Sequence, residues 1–439
     1  MRAGRIRRAS GNRPASRYDV LIIGGYGHVG FPLGLVLADT GLQVGLYDVD
    51  TRREQTIRAG RMPFLEYDAQ PILQRVLGRT LHVVENLAAV SVSTTVIITI
   101  GTPQDEYLNP TLLPMLQLAQ GLVQHVHAGH QLILRSTVYP GTSERLQSYF
   151  REQGCDVHLA FCPERIAQGY AIRELRKLPQ IISGFSPQAV DHAAKLFTRL
   201  GVAIVELSVN EAEMAKLFTN AWRYIQFATA NQFYIMATDH RADFSRIHHA
   251  MTFGYERAGQ FPTPGFAAGP CLLKDTMQLS AFHQNGFLLG HAAMLINEGL
   301  PSVVVNALKR DLKSDLRGVR VGILGMAFKA DVDDTRDSLS YKLAKILRFY
   351  GAEVVCSDEH VQDPGFVPLA TILQTCPVIV VGVPHAAYRS CVVPAATYVM
   401  DLWGVIAGRS RAAAERPSAV PGRRARARRA AAQPVAGRA

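Results

Sequence analysis

The segment 18–48 restricts the fold more than any other part of the chain. An apolar, β-rich run over 18–23 ends in glycine and passes at once into Gly25-Tyr-Gly27-His28-Val29-Gly30. A helical stretch, 31–40, comes next, and after Gly41 a second apolar strand, 43–47, stops at Asp48. Strand, tight glycine turn, helix, strand and acid, in that order, describe the first unit of a doubly wound parallel sheet that binds a dinucleotide. Gly25 and Gly27 allow the turn and a close backbone approach to a pyrophosphate, and Gly30 lets helix and strand pack. His28 and Val29 complete the loop and count with its glycines as cofactor-binding residues. A carboxylate at Asp48 accepts from the adenosine ribose hydroxyls and favours NAD over NADP, with Arg53 on the same adenosine side.

Further alternation extends the sheet. Strands are expected at 95–100, 131–135 and 157–161, and helices at 111–127 and 142–152. The three strands run into polar turns, Gly101-Thr102-Pro103, Ser136-Thr137-Val138 and Cys162-Pro163-Glu164. Ligands of open parallel sheets gather at the carboxyl ends of strands, so Thr102, Thr137 and Glu164 are candidate site residues. Helix capping is the alternative duty of the two threonines. Glu164 follows a proline at a strand end, where a structural carboxylate has no evident task.

A long helix is expected from Asn210 to about His240, with Asn210 and Glu213 as its capping box. Lys216 and Asn220 lie four apart on one face, beside apolar Leu217, Phe218 and Trp222, which points the pair into a closed site. The stretch 264–276, PGFAAGPCLLKDT, then brings Cys271 through a glycine-rich approach (Gly265, Gly269) onto Pro270 and into the first turn of a helix. Amides at a helix start and the nearby Lys274 favour a thiolate, which is a nucleophile. Asp275 follows directly. A second long helix is expected over 275–298, and His248, His249, His283 and His291 show no metal spacing. A connecting helix, 301–316, leads to a second α/β unit with strands at 319–324, 353–356, 378–382 and 397–401 and a helix at 339–350. It lacks the glycine fingerprint and reads as the domain for the other end of a nucleotide-bearing substrate, with Lys329 and Arg336 available for anionic groups.

The net charge of +11 suggests nucleic acid until its distribution is considered. Residues 1–17 carry six arginines and no acid, and 405–439 carry nine arginines against Glu415 alone, so 18–404 is left at about −3. Both tails lack the apolar periodicity that would bury a face and are expected to be disordered, touching polyanions only loosely. No dedicated nucleic-acid role follows. The basic start precedes no apolar run of the export type, and no stretch of about 18 uninterrupted apolar residues occurs, so a soluble cytoplasmic protein without membrane attachment is expected. The six cysteines are scattered without a C-x-x-C pair, which indicates neither a zinc site nor a disulfide framework.

With GYGHVG, Asp48, GTP, STV, CPER, EAEMAKLFTNAW, GPCLLKD and GMAFKADVDDTRDS in this order, residues 18 to about 404 resemble the UDP-glucose/GDP-mannose dehydrogenase family. The resemblance implies an α/β protein of two Rossmann-like domains joined by a long central helix, in a homodimer or higher oligomer. Its parts would be 18–208 for NAD, 209–300 as a central helical domain, 301–316 as the connection and 317–404 for the UDP-sugar. It implies NAD-dependent, four-electron oxidation of a sugar C6 alcohol to the uronic acid, for surface polysaccharide precursors. Cys271 takes the nucleophile's place, Lys216 and Asn220 the lysine and asparagine beside the substrate, Asp275 the acid after the cysteine, Glu164 the PE glutamate and Thr137 the threonine of STV. Lys274 and Arg336 match cofactor contacts, as Thr102 and Thr137 do, while Gly265 and Lys329 match the substrate side. Members acting on UDP-glucose commonly read PEFLxEG, whereas this chain reads Pro163-Glu-Arg-Ile-Ala-Gln168-Gly. With LPQIISG, this is closer to members that oxidise UDP-N-acetylhexosamines such as UDP-N-acetylmannosamine, ahead of UDP-glucose or GDP-mannose. The rival readings are a two-electron hydroxyacid dehydrogenase, which gives Cys271 and the second α/β unit no task, and a noncatalytic nucleotide-sugar binder.

Overall fold

The computed structural model describes residues 17–103, 105 and 111–406; the basic tails lie outside the described residues except for Arg17, Val405 and Ile406. The chain begins with β1 (Tyr18–Ile23), α1 (Gly30–Asp39), β2 (Val44–Tyr47), α2 (Thr51–Arg58), α3 (Ala69–Val76) and β3 (Leu81–Val83). Then come β4 (Ser93–Ile98), α4 (Leu113–Leu122), β5 (His130–Leu134), α5 (Thr142–Glu152), β6 (Val157–Phe161), α6 (Ala171–Leu175), β7 (Gln180–Gly184), α7 (Pro187–Thr198) and β8 (Ile204–Glu206). These strands form one sheet in the order β3-β2-β1-β4-β5-β6-β7-β8, in which only the β6 to β7 step is antiparallel. Helices cover both faces, so the middles of the central strands are apolar: Leu21, Ile22, Val96, Ile97, Leu132 and Ile133 are fully buried.

A 31-residue helix, α8 (Val209–Asp239), leaves this domain, followed by α9 (Phe244–Thr252), α10 (Leu272–Phe282) and α11 (Leu288–Leu312). The second sheet contains β9 (Arg320–Leu324), β10 (Glu353–Ser357), β11 (Val378–Val381) and β12 (Tyr398–Asp401), parallel in the order β10-β9-β11-β12, with α12 (Leu339–Phe349) and α13 (Leu369–Thr375) packed on it. The expected architecture of two Rossmann-like domains and a long central helix is therefore present.

Several local expectations shift. Helix α8 is capped two residues before Asn210: Ser208 and Glu211 form the capping box. Glu213 instead is buried and accepts from Gly141 N at 2.6 Å and Ser143 N at 2.9 Å, capping the start of α5 and tying it to α8. The helix expected over 275–298 is broken. Gln284 and Asn285 take left-handed backbone (φ 51° and 60°) ahead of Gly286, which ends α10 and re-aims the chain into α11. Helix α11 then runs through Pro301, taking in much of the stretch read as a separate connecting helix. It is the one helix among the described residues long and apolar enough to cross a membrane by length and composition, but it packs along α8 and α12.

Gly265 sits where the central helices meet the second sheet. Its N–H and C=O both bond the side chain of buried Asn231 on α8, and a Cβ at this position would lie 2.3 Å from the Trp403 ring. Trp403, in the turn after β12, is itself held by Nε1 donating to Gly382 O. A backbone held at both its N–H and C=O and a partly buried indole held by its own hydrogen bond cannot both move aside cheaply, so Gly265→Ala should destabilise the fold by about 1–3 kcal/mol. Urea unfolding checks this; an unchanged midpoint would show that the interlock is loose.

Candidate active site

Cys271 is the N-cap residue of α10, delivered by Gly269 in left-handed backbone (φ 100°), where a Cβ would strike the Phe328 ring. The residue is open to solvent on one side, with Lys216, Lys274, Asp275 and Arg336 nearby. Burial first, and Asp275 second, push its thiol above the usual range; Lys216, Lys274 and Arg336 pull the other way without overcoming this. The expectation that the helix start and Lys274 favour a thiolate in the free protein is therefore not met, because desolvation and a carboxylate one turn along outweigh the cations. The thiolate is the reactive form, so raising the pKa shrinks its share at neutral pH, and alkylation should quicken as pH rises. Iodoacetamide labelling of the Cys271 peptide should follow an apparent pKa above the roughly 8.5 of a free cysteine. A rate already level below pH 7 would contradict this.

Lys216 and Asn220 come from α8. The buried stripe Glu213, Lys216, Leu217, Asn220, Ala221 and Tyr224 has the spacing of one helix face. Phe218 and Trp222, read as neighbours of the pair, lie on the other side and are 56% and 60% exposed. Asn220 Nδ2 donates to Asp275 Oδ2 at 2.6 Å. Asp275 Oδ1 is 3.3 Å from Lys274 Nζ, which reaches Thr102 Oγ1 at 3.2 Å, and that hydroxyl donates to Thr137 O at 2.6 Å. The chain of contacts thus joins α8, α10 and the turns after β4 and β5. Neither threonine hydroxyl is needed to explain a helix start; Thr102 spans two strand ends. Burial lowers the Lys216 amine below the usual lysine range, opposed by Asp275, Cys271 and Glu164. A buried lysine with a depressed pKa can receive a proton as well as donate hydrogen bonds.

Glu164, which the sequence left without structural work, is pinned from beneath. Oε2 accepts from Arg135 Nε at 3.0 Å and from Arg135 Nη2, and Oε1 accepts from Arg165 N at 2.6 Å and Ile166 N at 2.9 Å. Sequence reasoning missed Arg135; a lone charge closing the apolar strand Leu132-Ile-Leu-Arg135 was the available signal.

The dinucleotide turn lies where the strand order reverses, between β1 and β4. The left-handed residue that makes the turn is Gly24 (φ 81°), not Gly25 or Gly27 as read from the fingerprint. A Cβ on Gly25 would meet Ile22 O at 2.9 Å, and one on Gly30 would meet Gly24 O at 2.4 Å, so both glycines let α1 close on the sheet. A Cβ on Gly27 would find only an ordinary contact at 3.4 Å, leaving that side of the loop open to a pyrophosphate. Val29 is the N-cap of α1 without a side-chain bond. Asp48 directly follows β2, and Tyr26 N donates to its Oδ2 at 3.1 Å, which fixes the carboxylate beside the glycine turn. Arg53 donates to Tyr26 O and lies over the Phe64 ring. His28 is turned inward, toward Phe64, Gln168 and Asp334; burial lowers its pKa to about 3 and keeps it neutral, and its Nδ1 is buried without a hydrogen-bond partner. The cradle and the carboxylate fit NAD.

The sequence profiles of one family cover most of the chain: the UDP-glucose/GDP-mannose dehydrogenase NAD binding domain over residues 19–201, its central domain over 210–298 and its UDP binding domain over 322–408. The chain belongs to the UDP-glucose/GDP-mannose dehydrogenase family. It is an NAD-dependent nucleotide-sugar dehydrogenase. Among its relatives, UDP-N-acetyl-D-mannosamine dehydrogenase of Pyrococcus horikoshii is 28% identical over 378 residues, 83% of this chain and 89% of that protein. UDP-N-acetyl-D-glucosamine 6-dehydrogenase of Pseudomonas aeruginosa is 26% identical over 375 residues, 79% of this chain and 86% of that one. The solved structure of the Pyrococcus horikoshii UDP-D-ManNAc dehydrogenase superposes with a TM-score of 0.82 at 25% identity, covering 89% of this chain and 96% of that one.

In this dehydrogenase the UDP-binding domain meets the NAD domain along one seam. Lys329 Nζ donates to Gln168 O at 2.5 Å and lies 5.5 Å from the centre of the Tyr170 ring. Gln168 Nε2 donates to Asp334 Oδ2 at 3.0 Å, and Asp334 grips Arg336, with Nη2 at 2.6 Å. Arg336 is half-exposed at this seam and near enough to Cys271 to draw its thiol pKa down. Leu65 N donates to Asp333 Oδ2 and Tyr67 Oη to Asp331 O, closing the contact. Gly265, expected at the substrate, spends its missing side chain on Trp403.

Proposed function

We propose that this dehydrogenase oxidises the C6 alcohol of a UDP-N-acetylhexosamine, UDP-N-acetylmannosamine foremost, to the uronic acid through a covalent bond to Cys271. The observation that carries this reading is the meeting of Cys271, Lys216, Asn220, Asp275 and Lys274 at the carboxyl ends of the NAD domain's strands. The sugar is supported by the names of the relatives and by Gln168. A carboxylate there would face Asp334 across about the 3.0 Å that the amide now bridges.

NAD, held by the Gly24–Gly30 turn, Asp48, Arg53, Thr102, Thr137, Lys274 and Arg336, supplies the hydride acceptor for both oxidations. Lys216, with Asp275 beside it, takes the C6 hydroxyl proton, and Lys216 and Asn220 hold the developing oxyanion. Cys271 Sγ then bonds to the aldehyde carbon as a thiohemiacetal, which keeps the aldehyde from escaping. Oxidation of that adduct leaves a thioester, and a water guided by Glu164 or Asp275 cleaves it. Residues 18–208 hold NAD in this reading, 209–300 carry the cysteine turn, and 317–404, with Lys329, take the UDP end. The exposed apolar side of α8, α10 and α11, including Phe218, Trp222, Phe282, Leu288 and Leu295, supports a homodimer. The reaction belongs in the cytoplasm, where its cofactor and activated sugars are found, and its product suits surface polysaccharide assembly. A panel of UDP- and GDP-sugars tests the reading: UDP-N-acetylmannosamine should turn over fastest and yield two NADH per sugar. One NADH per sugar, or preference for UDP-glucose or GDP-mannose, would overturn it.

A further inference from the structure

We infer that Arg135 is a positioning residue for the hydrolytic half of the reaction, acting through Glu164. Arg135 follows β5 and is 1% exposed, among the largest wholly buried side chains of the protein. Its guanidinium donates to Glu164 Oε2 from both Nε and Nη2, to Cys162 O from Nη1 at 3.0 Å, and to Gln180 Oε1 from Nη2 at 2.8 Å, and it lies 4.7 Å from the centre of the Phe197 ring. One side chain thereby ties together the ends of β5, β6 and β7 and helix α7. The planar fork suits this: two bonds converging on one carboxylate oxygen, one to a carbonyl and one to an amide oxygen are four in all, more than the three N–H groups of a lysine ammonium can make.

A structural reading alone explains the pair poorly. Buried ion pairs are often no more stabilising than apolar residues of similar volume, because both charges must be stripped of water. The carboxylate of this pair is close enough to buried Lys216 to help hold the proton on its amine. With four N–H donors on its two oxygens, the Glu164 carboxylate is held in one orientation. In the hydrolytic step a water oxygen bonds to the thioester carbon, the C–S bond breaks, the sulfur takes up a proton and the uronate leaves; no electrons pass to or from a cofactor. A carboxylate fixed in one place is what that water needs. The inference rests on the placement of Glu164 in the mechanism proposed above.

Arg135→Lys keeps the charge and loses the fork. In single-turnover mixing with NAD and UDP-N-acetylmannosamine, it should release about two NADH per site at near the wild-type rate. A steady state about 10- to 100-fold slower should follow, with acyl-enzyme accumulating on Cys271. KM for sugar and NAD should change little. In a Glu164→Gln background the same substitution should cost nothing further, since the two act as one unit. Should Arg135→Lys not fold, the double variant Arg135→Met, Glu164→Gln, which removes both charges, is compared with Glu164→Gln and should match its turnover. Wild-type turnover in Arg135→Lys, or costs that multiply in the double variants, would overturn the inference. Full activity in Glu164→Gln would instead remove the placement of Glu164 on which it rests.

Discussion

Cys271→Ser should stop net uronate formation, by at least about a thousandfold, while NAD binds as before. Serine has nearly the same size and keeps the N-cap backbone of α10, and the dinucleotide turn at Gly24 to Gly30 lies on another domain. What is lost is a sulfur able to capture the aldehyde and then leave from the acyl stage. A serine ester would form slowly and hydrolyse slowly, with its hydroxyl in the same desolvated place that already raises the thiol pKa. Fluorescence titration with NADH, together with product analysis by mass spectrometry, separates binding from chemistry. Full uronate production by this variant would refute the covalent route.

Lys216→Met is the second large effect. Methionine retains most of the buried stem, so the helix face of α8 should still pack, and a buried charge is removed. The loss falls on chemistry: proton removal from the C6 alcohol and a donor to the oxyanion, the latter alone worth about 3 kcal/mol. Turnover should fall about 10²- to 10³-fold with KM for NAD little changed, and the thermal midpoint should hold or rise. A loss under tenfold would move the proton acceptor to Asp275, whose Oδ2 is already bonded by Asn220.

Much of this was legible in the sequence because it depends on short-range pattern. The glycine fingerprint with Asp48 described a real strand, turn, helix and strand, and Lys216 and Asn220 at four-residue spacing do share a buried face. What escaped depends on partners far apart in the chain. Arg135 and Glu164 are 29 residues apart and meet only because β5 and β6 are neighbours. The fingerprint leaves open which glycine bears the left-handed angle, and the fold assigned it to Gly24. Ser208 and Glu211 had the same capping pattern as Asn210 and Glu213; only the demand for an acid at the start of α5 decides between them. The break in the helix after α10 had a local signal in Gln284-Asn285-Gly286, a turn sequence that the surrounding helical periodicity masked. For Cys271 the local reading counted the amides and Lys274 and left out burial and Asp275, which reverse the sign.

The most direct test is to mix the enzyme with NAD and UDP-N-acetylmannosamine, quench in acid over milliseconds to seconds, and map the digested protein by mass. The covalent account predicts that the peptide spanning 264–276 carries the sugar nucleotide on Cys271, rising before uronate appears and falling as it accumulates. Uronate appearing while Cys271 stays unmodified at every time would contradict it.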